Sequence, residues 1–341
     1  LTHHSNQGCL AAACSAAMAC WIESRFTQAG NAGRWLLAMW FCFALAFLIK
    51  GPPSLLYLLV IAVCAGLLPQ ARSTLAWHAL GLLLFGLVAL PWYAIVIHDT
   101  PGLLDYYLGV ELIDRLTEPE LARHGEWYGW LQVYAPTLLL GTLPWSTHLW
   151  RWLRSLGSQF RLWRMRDTRQ DDPVGLILFV WLVLPLLVFC LSRSRMPLYL
   201  LPLFTPLALI AARQMQRDQR AFASMRMVVA WVVVLIALRA ATSFWPTHKN
   251  AEAWAEEIRR HVDFPLHKVV FVEDMARYGL HLHLGVQVEK LSMQPVADRL
   301  FDPEYDGNFD ARLEADPKAT LFVCKAERWA EVQAAFNRRG Y

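Results

Sequence analysis

The sequence contains no CxxC pair, no internal repeat and no low-complexity tract. Its seven cysteines are Cys9, Cys14, Cys20, Cys42, Cys64, Cys190 and Cys324, six of them inside apolar segments. Cysteine in such places behaves as a small buried hydrophobe, so neither a disulfide framework nor a zinc site is indicated. The missing repeat also counts against transporter folds, which are built from duplicated halves around charged, broken helices. No basic stretch precedes the first apolar run, so the start at Leu1 does not have the form of a signal peptide. The expectation is a fragment whose N-terminus is missing.

What is present is apolar length. Of 341 residues, 56% are hydrophobic and 16 are Trp, more than a soluble domain of this size carries in long runs. Crossing a hydrocarbon core of about 30 Å takes roughly 20 apolar residues in a helix. Eight segments are candidates: 9–23, 35–49, 53–69, 75–97, 131–150, 174–191, 198–212 and 226–245. The basic residues orient them. One set of connections holds Arg25, Arg34, Arg72, Arg151, Arg154, Arg161, Arg164, Arg166, Arg169, Arg213, Arg217, Arg220 and Arg226, the other only Lys50, Arg115, Arg123, Arg193 and Arg195. Thirteen against five puts the first set in the cytoplasm. The second set and the tail then face the periplasm of a bacterial inner membrane.

This gives a polytopic α-helical membrane bundle over residues 1–245, with a long outer loop at 98–130, and a periplasmic α/β domain over 246–341. In that domain the pattern predicts a helix at 251–262, strands at 268–273 and 320–325, and a closing helix at 326–339. A further strand pair is expected at 279–285 and 286–291. His281 and His283 would then share a strand face, but no third ligand accompanies them and chance alternation is the favoured reading.

Three outer segments carry chemistry. Lys50-Gly51-Pro52-Pro53 places an ammonium beside a tight turn, where it either snorkels to the headgroups or meets an anionic one. The loop 98–130 combines seven acidic residues with Arg115, Arg123, His124 and interfacial aromatics. Glu111 and Arg115, four apart, share a face if that loop forms an amphipathic helix on the membrane. The run from Ser192 to Pro202 sets Arg193 and Arg195 in a short turn held by Pro197 and Pro202. Arginine there suits phosphate, because its planar fork binds oxyanions bidentately. The Arg cluster 151–169 is a topology signal that can touch anionic lipids, not a nucleic-acid site.

In order, Lys50-Gly51-Pro52, Pro91-Trp92-Tyr93, Pro101-Gly102 with Tyr106-Tyr107, Glu111, Arg115 and His124 resemble one family. Gly141, Pro144-Trp145-Ser146, Ser194 to Pro202 and the tail segment 278–285 extend the match. The family is the GT-C glycosyltransferases of the protein O-mannosyltransferase-like superfamily, in the bacterial branch of 4-amino-4-deoxy-L-arabinose (lipid A) transferases. The resemblance implies an inverting enzyme that moves a sugar from a polyprenyl-phosphate donor to a lipid A, glycan or protein acceptor at the outer face. It implies cations on the leaving phosphate, for which Lys50, Arg115 and Arg195 are the candidates. Glu111, His124 and Tyr199 are the candidates for shaping the pocket. No cofactor is indicated, and a divalent metal stays open. The family's principal acidic residue would lie upstream of Leu1, so this chain alone is expected to be inactive. A second acidic position is met here by Asn6-Gln7-Gly8, with no carboxylate. A transporter or flippase of a lipid-linked substrate and a degenerate, non-catalytic binding protein are the alternatives.

Overall fold

A computed structural model describes residues 2–27, 31–68, 75–106, 126–192, 194–219, 225–243, 250–293, 306–308, 319–338 and 340. By compactness the chain divides into two units, Leu1–Asp99 with Leu104–Trp231, and Thr100–Leu103 with Val232–Tyr341.

The first unit is helical. Its main helices are α1 (Thr2–Phe26), α2 (Ala32–Lys50), α3 (Leu56–Leu67), α4 (Leu75–Asp99), α5 (Gly129–Gly141), α6 (Ser146–Arg164), α7 (Pro173–Leu191) and α8 (Phe204–Arg217). A ninth, α9 (Met225–Ser243), straddles the division between the units. Among the described residues five helical stretches are long and apolar enough to cross a membrane: Ala32–Lys50, Leu75–Asp99, Pro173–Leu191, Pro197–Arg217 and Met225–Thr242. The core is drawn from Met18 and Trp21 of α1, Met39 and Phe43 of α2, Val60 of α3, and Trp181 of α7.

Two expected spans take another form. The stretch 9–23 sits inside the longer α1. The stretch 131–150 is not one helix, because it breaks into α5 and α6 around Pro144. Proline has no N–H to continue the ladder and its ring clashes with the preceding turn, so a new helix starts at Ser146.

α2 and α4 run parallel, as their side-chain contacts advance together along both. Trp77 stands against Gly33 and Trp40 against Gly81. Phe47 then meets Phe85 at 5.4 Å and Tyr93 at 5.0 Å between ring centroids. Each tryptophan lies where the other helix has only hydrogen in place of a side chain, the small-residue packing that lets helix backbones approach in lipid.

The second unit holds a parallel sheet of order β3-β2-β1-β4, from β1 (Lys268–Val272), β2 (Gln287–Ser292), β3 (Asp306–Asn308) and β4 (Thr320–Val323). Lys268 pairs with Gln287 on one side and Thr320 on the other. The central strand β1 is apolar beyond its first residue and buried on both faces, as a covered parallel sheet requires. Val269 and Phe271 face α10 (Ala251–His261) and α11 (Gly279–Leu284). Val270 and Val272 face α12 (Trp329–Asn337).

The segment 279–285, expected as a strand, is the helix α11. Leu280 and Leu284 lie four apart and both pack into the α10 side of the core, so helical spacing overrides the alternation of His and Leu. Gly285 ends the helix in the left-handed region at φ 69°, with its N–H bonded to the His281 carbonyl. His281 and His283 therefore point away from each other, and the imidazole Nδ1 of His281 pairs with the Val286 carbonyl at 2.8 Å.

Candidate functional site

At one end of the helical unit, Lys50 closes α2. Gly51 follows at φ 71° and ψ −145°, a conformation that glycine adopts readily and side chains do not. Its N–H bonds back to the Phe47 carbonyl, and the Ser54 hydroxyl donates to the Gly51 carbonyl at 2.8 Å. The Tyr93 hydroxyl also donates to the Phe47 carbonyl at 2.8 Å, so the Pro91-Trp92-Tyr93 segment fastens the same helix end. These bonds fix where the Lys50 side chain begins.

Among the described residues, two neutral groups from distant segments contact the ammonium. It donates to Oε1 of Gln7 at 3.2 Å, and it lies 4.3 Å from the centroid of the Tyr199 ring. The cation–π contact directs the charge over the ring face. Tyr199 belongs to the 3-10 turn Pro197–Leu203, whose first hydrogen bond runs from its N–H to the Met196 carbonyl. Gln7 is 6% exposed. Three of the chain's segments thus converge on one cation.

Arg195 sits four residues before Tyr199 and is 5% exposed. Its guanidinium donates to the Cys190 carbonyl at 3.0 Å and the Glu126 carbonyl at 2.7 Å. The first of these is an orphan carbonyl in the last turn of α7, where a cation also meets the negative end of the helix dipole. The second ties the stretch before α5 to the same corner. A guanidinium carries five N–H donors, so capping carbonyls and binding an oxyanion are compatible roles. Buried Tyr134 of α5 lies within electrostatic range of Arg195 and Tyr199.

Of the six candidates, Lys50 and Tyr199 are in contact and Arg195 stands just before the turn that holds Tyr199. Glu111, Arg115 and His124 lie outside the described residues, as does Arg193. Sequence reasoning missed Gln7 as a partner. Its neighbourhood had registered only for lacking a carboxylate, and nothing local to it signals a bond to Lys50. Among the described residues no group of three His, Cys, Asp or Glu side chains converges as a metal site.

The opposite end of the unit is arginine-rich. Asp172 caps α7 by accepting from the Gly175 N–H at 3.0 Å, and it pairs with Arg213 and with Arg217, the latter at 3.0 Å. Arg25 donates to the Leu68 carbonyl, and Arg169 donates to Leu67 at 3.1 Å. Arg151 pairs with Asp218 at 2.9 Å.

No family model matches the sequence. Two curated relatives are undecaprenyl phosphate-alpha-4-amino-4-deoxy-L-arabinose arabinosyl transferases. The one from Edwardsiella ictaluri is 34% identical over 202 residues, covering 58% of this chain and 34% of the relative. The one from an Enterobacter strain is 32% identical over 197 residues, covering 55% and 32%. The match spans about a third of each relative's length. Among solved structures, the crystal structure of ArnT from Cupriavidus metallidurans bound to undecaprenyl phosphate superposes with a TM-score of 0.60. It covers 95% of this chain and 70% of that one at 16% identity. The resemblance read from the sequence is borne out, and so is the fold, a polytopic helical bundle with a small α/β domain.

Proposed function

We propose that this chain is part of a membrane glycosyltransferase that takes a sugar from a polyprenyl-phosphate donor and passes it to lipid A, another glycan or protein. The observation that carries the reading is the convergence of Gln7 and Tyr199 on the Lys50 ammonium, with Arg195 just before the turn that holds Tyr199. When the bond from the anomeric carbon to the donor phosphate breaks, negative charge grows on the phosphate oxygens. A fixed cation beside them lowers that barrier, because it is already oriented before the charge develops. The acceptor hydroxyl attacks from the opposite side, and its proton leaves to a carboxylate of the kind the resemblance implies.

The reading is also supported by the two arabinosyl transferase relatives, and by the bound undecaprenyl phosphate of the Cupriavidus protein. The bundle belongs to the bacterial inner membrane, with the Lys50 end and the domain from residue 246 onward in the periplasm. A binding titration of the purified chain with undecaprenyl phosphate tests the site. Saturable binding that Lys50→Ala weakens is expected, and equal binding by both forms removes Lys50 from the phosphate.

A second reading, a relative that binds the lipid without turnover, is favoured by the neutral Gln7 where the resemblance expects an acid. Membranes expressing the full-length gene product, given a polyprenyl-phosphate sugar and lipid A, separate the two. Labelled product supports the transferase. Binding without product supports the second reading.

A further inference from the structure

Helix α6 carries four arginines and no acidic residue in 19 positions, and the site at the Lys50 end makes no use of it. Its two ends are tied to different helices at the arginine-rich end. Near its start, Arg151 pairs with Asp218, the residue that follows α8. Just beyond its close, Arg169 donates to the carbonyls of Trp163 and of Leu67, the last residue of α3. A helix of this length measures about 28 Å at 1.5 Å per residue. Anchored to helix ends at both of its own ends, it runs across the end of the bundle instead of projecting from it. In between, Trp152, Phe160 and Trp163 all pack on Phe179 of α7, with ring centroids 5.0–6.4 Å away.

The helix surface divides three ways. At about 100° per residue, Leu149, Trp152, Gln159 and Trp163 share one stripe, and all four are buried. Leu153 and Phe160 form the next row and are exposed. Beyond them come Trp150 with Arg164, Arg161 and Arg154, also exposed. Arg154 lies 5.1 Å over the Trp150 ring, and among the described residues Arg154, Arg161 and Arg164 form no ion pair with a carboxylate. A helix that turns one face to protein, one apolar row outward and a basic row beside it matches a membrane interface. There the leucine and phenylalanine enter the acyl boundary, the tryptophan sits at headgroup level, and the arginines meet phosphate.

We propose that α6 is an interfacial helix that binds anionic phospholipid headgroups of the adjacent leaflet through Arg154, Arg161 and Arg164. The charge of the three guanidiniums selects the occupant. A zwitterionic headgroup offers its phosphate with a compensating cation, whereas a phosphatidylglycerol headgroup offers the anion alone. Bidentate guanidinium–phosphate bonding then adds to the general attraction of a negative surface.

The test is lipid selectivity of the purified chain in mixed micelles. Spin-labelled phosphatidylglycerol competes with spin-labelled phosphatidylcholine for the protein-bound fraction. The chain is expected to prefer phosphatidylglycerol. The R154Q/R161Q/R164Q variant loses that preference by roughly tenfold or more, in line with the attraction of each basic residue to an anionic surface. Single glutamine variants, which leave the buried stripe intact, are expected to lose it in steps. A triple lysine variant keeps most of it. Equal affinity of the unaltered chain for the two lipids overturns the proposal, as does full preference in folded glutamine variants. Loss of a self-association or of a cross-linked protein in the variants, without any lipid preference, also overturns it and assigns the arginines to a protein surface.

Discussion

At the scale of single residues, the two candidate cations are held in different ways, and their substitutions are expected to differ accordingly. Among the described residues Lys50 contacts an amide oxygen and a ring face, and neither of these two is left as a buried charge when the ammonium is removed. Lys50→Ala is therefore expected to keep the melting temperature within a few degrees while weakening undecaprenyl phosphate binding by about tenfold to a hundredfold. That range is the worth of a hydrogen bond to a charged group. A titration paired with a thermal melt checks both halves. Arg195 is bonded to two carbonyls, so Arg195→Ala strips their donors and is expected to destabilise the protein by about 1–3 kcal/mol in addition to any effect on binding. Arg195→Lys keeps the charge but has one compact head in place of a fork, so its thermal loss falls between those of the parent and the alanine form.

At the scale of elements, packing between α2 and α4 depends on two glycines. A methyl group at Gly81 would lie 2.0 Å from the Trp40 ring, and one at Gly33 would lie 2.3 Å from Trp77. Gly81→Ala is expected to cost about 1–3 kcal/mol, the range for overpacking, and to show as a lower melting temperature that Trp40→Leu partly restores. In the sheet domain, Glu273 directly follows β1 at φ 52°, a conformation rare outside glycine. Burial raises its pKa, but bonds from the Met293 N–H and the Ser292 hydroxyl, with Arg328 and Lys290 nearby, hold it below the usual range. The sign follows from linkage. A depressed carboxyl stabilises the fold above its unfolded value of about 4.3, and that stabilisation drains away as pH falls through the folded value. An acid titration followed by circular dichroism is expected to show the parent losing stability in that window. Glu273→Gln is weaker at neutral pH and loses less there. Elements of this kind were unevenly legible. The β-branched runs at 268–273 and 320–325 announced strands, because a buried parallel strand needs nothing else. Pro144 gave a reason for a helix break inside 131–150, yet hydropathy averaged across it. At 279–285 a period of two and a period of 3.6 fit the same seven letters, and only the leucine contacts decide between them.

At the scale of the whole molecule, sidedness is open to a direct measurement. In a chain stripped of its seven native cysteines, Met275→Cys in the α/β domain is expected to react with an impermeant thiol reagent added to spheroplasts. Arg161→Cys on α6 is expected to react only after the membrane is opened. The reverse labelling would invert the topology and the proposed function with it. The multi-pass helical character was legible because lipid imposes a length rule on apolar spans, but the count was not: eight spans were expected, and among the described residues five helical stretches are long and apolar enough. The candidate site was legible only as its parts. Lys50 and Tyr199 each stand beside recognisable turns, but their contact joins residues far apart in sequence, and Gln7 enters through the burial of a helix start. That separation also sets an order of assembly. A ribosome has translated α1 through α7 before it reaches Tyr199. For most of biogenesis the Lys50 ammonium therefore lacks its aromatic partner, and the site closes only when the Pro197–Leu203 turn emerges and docks.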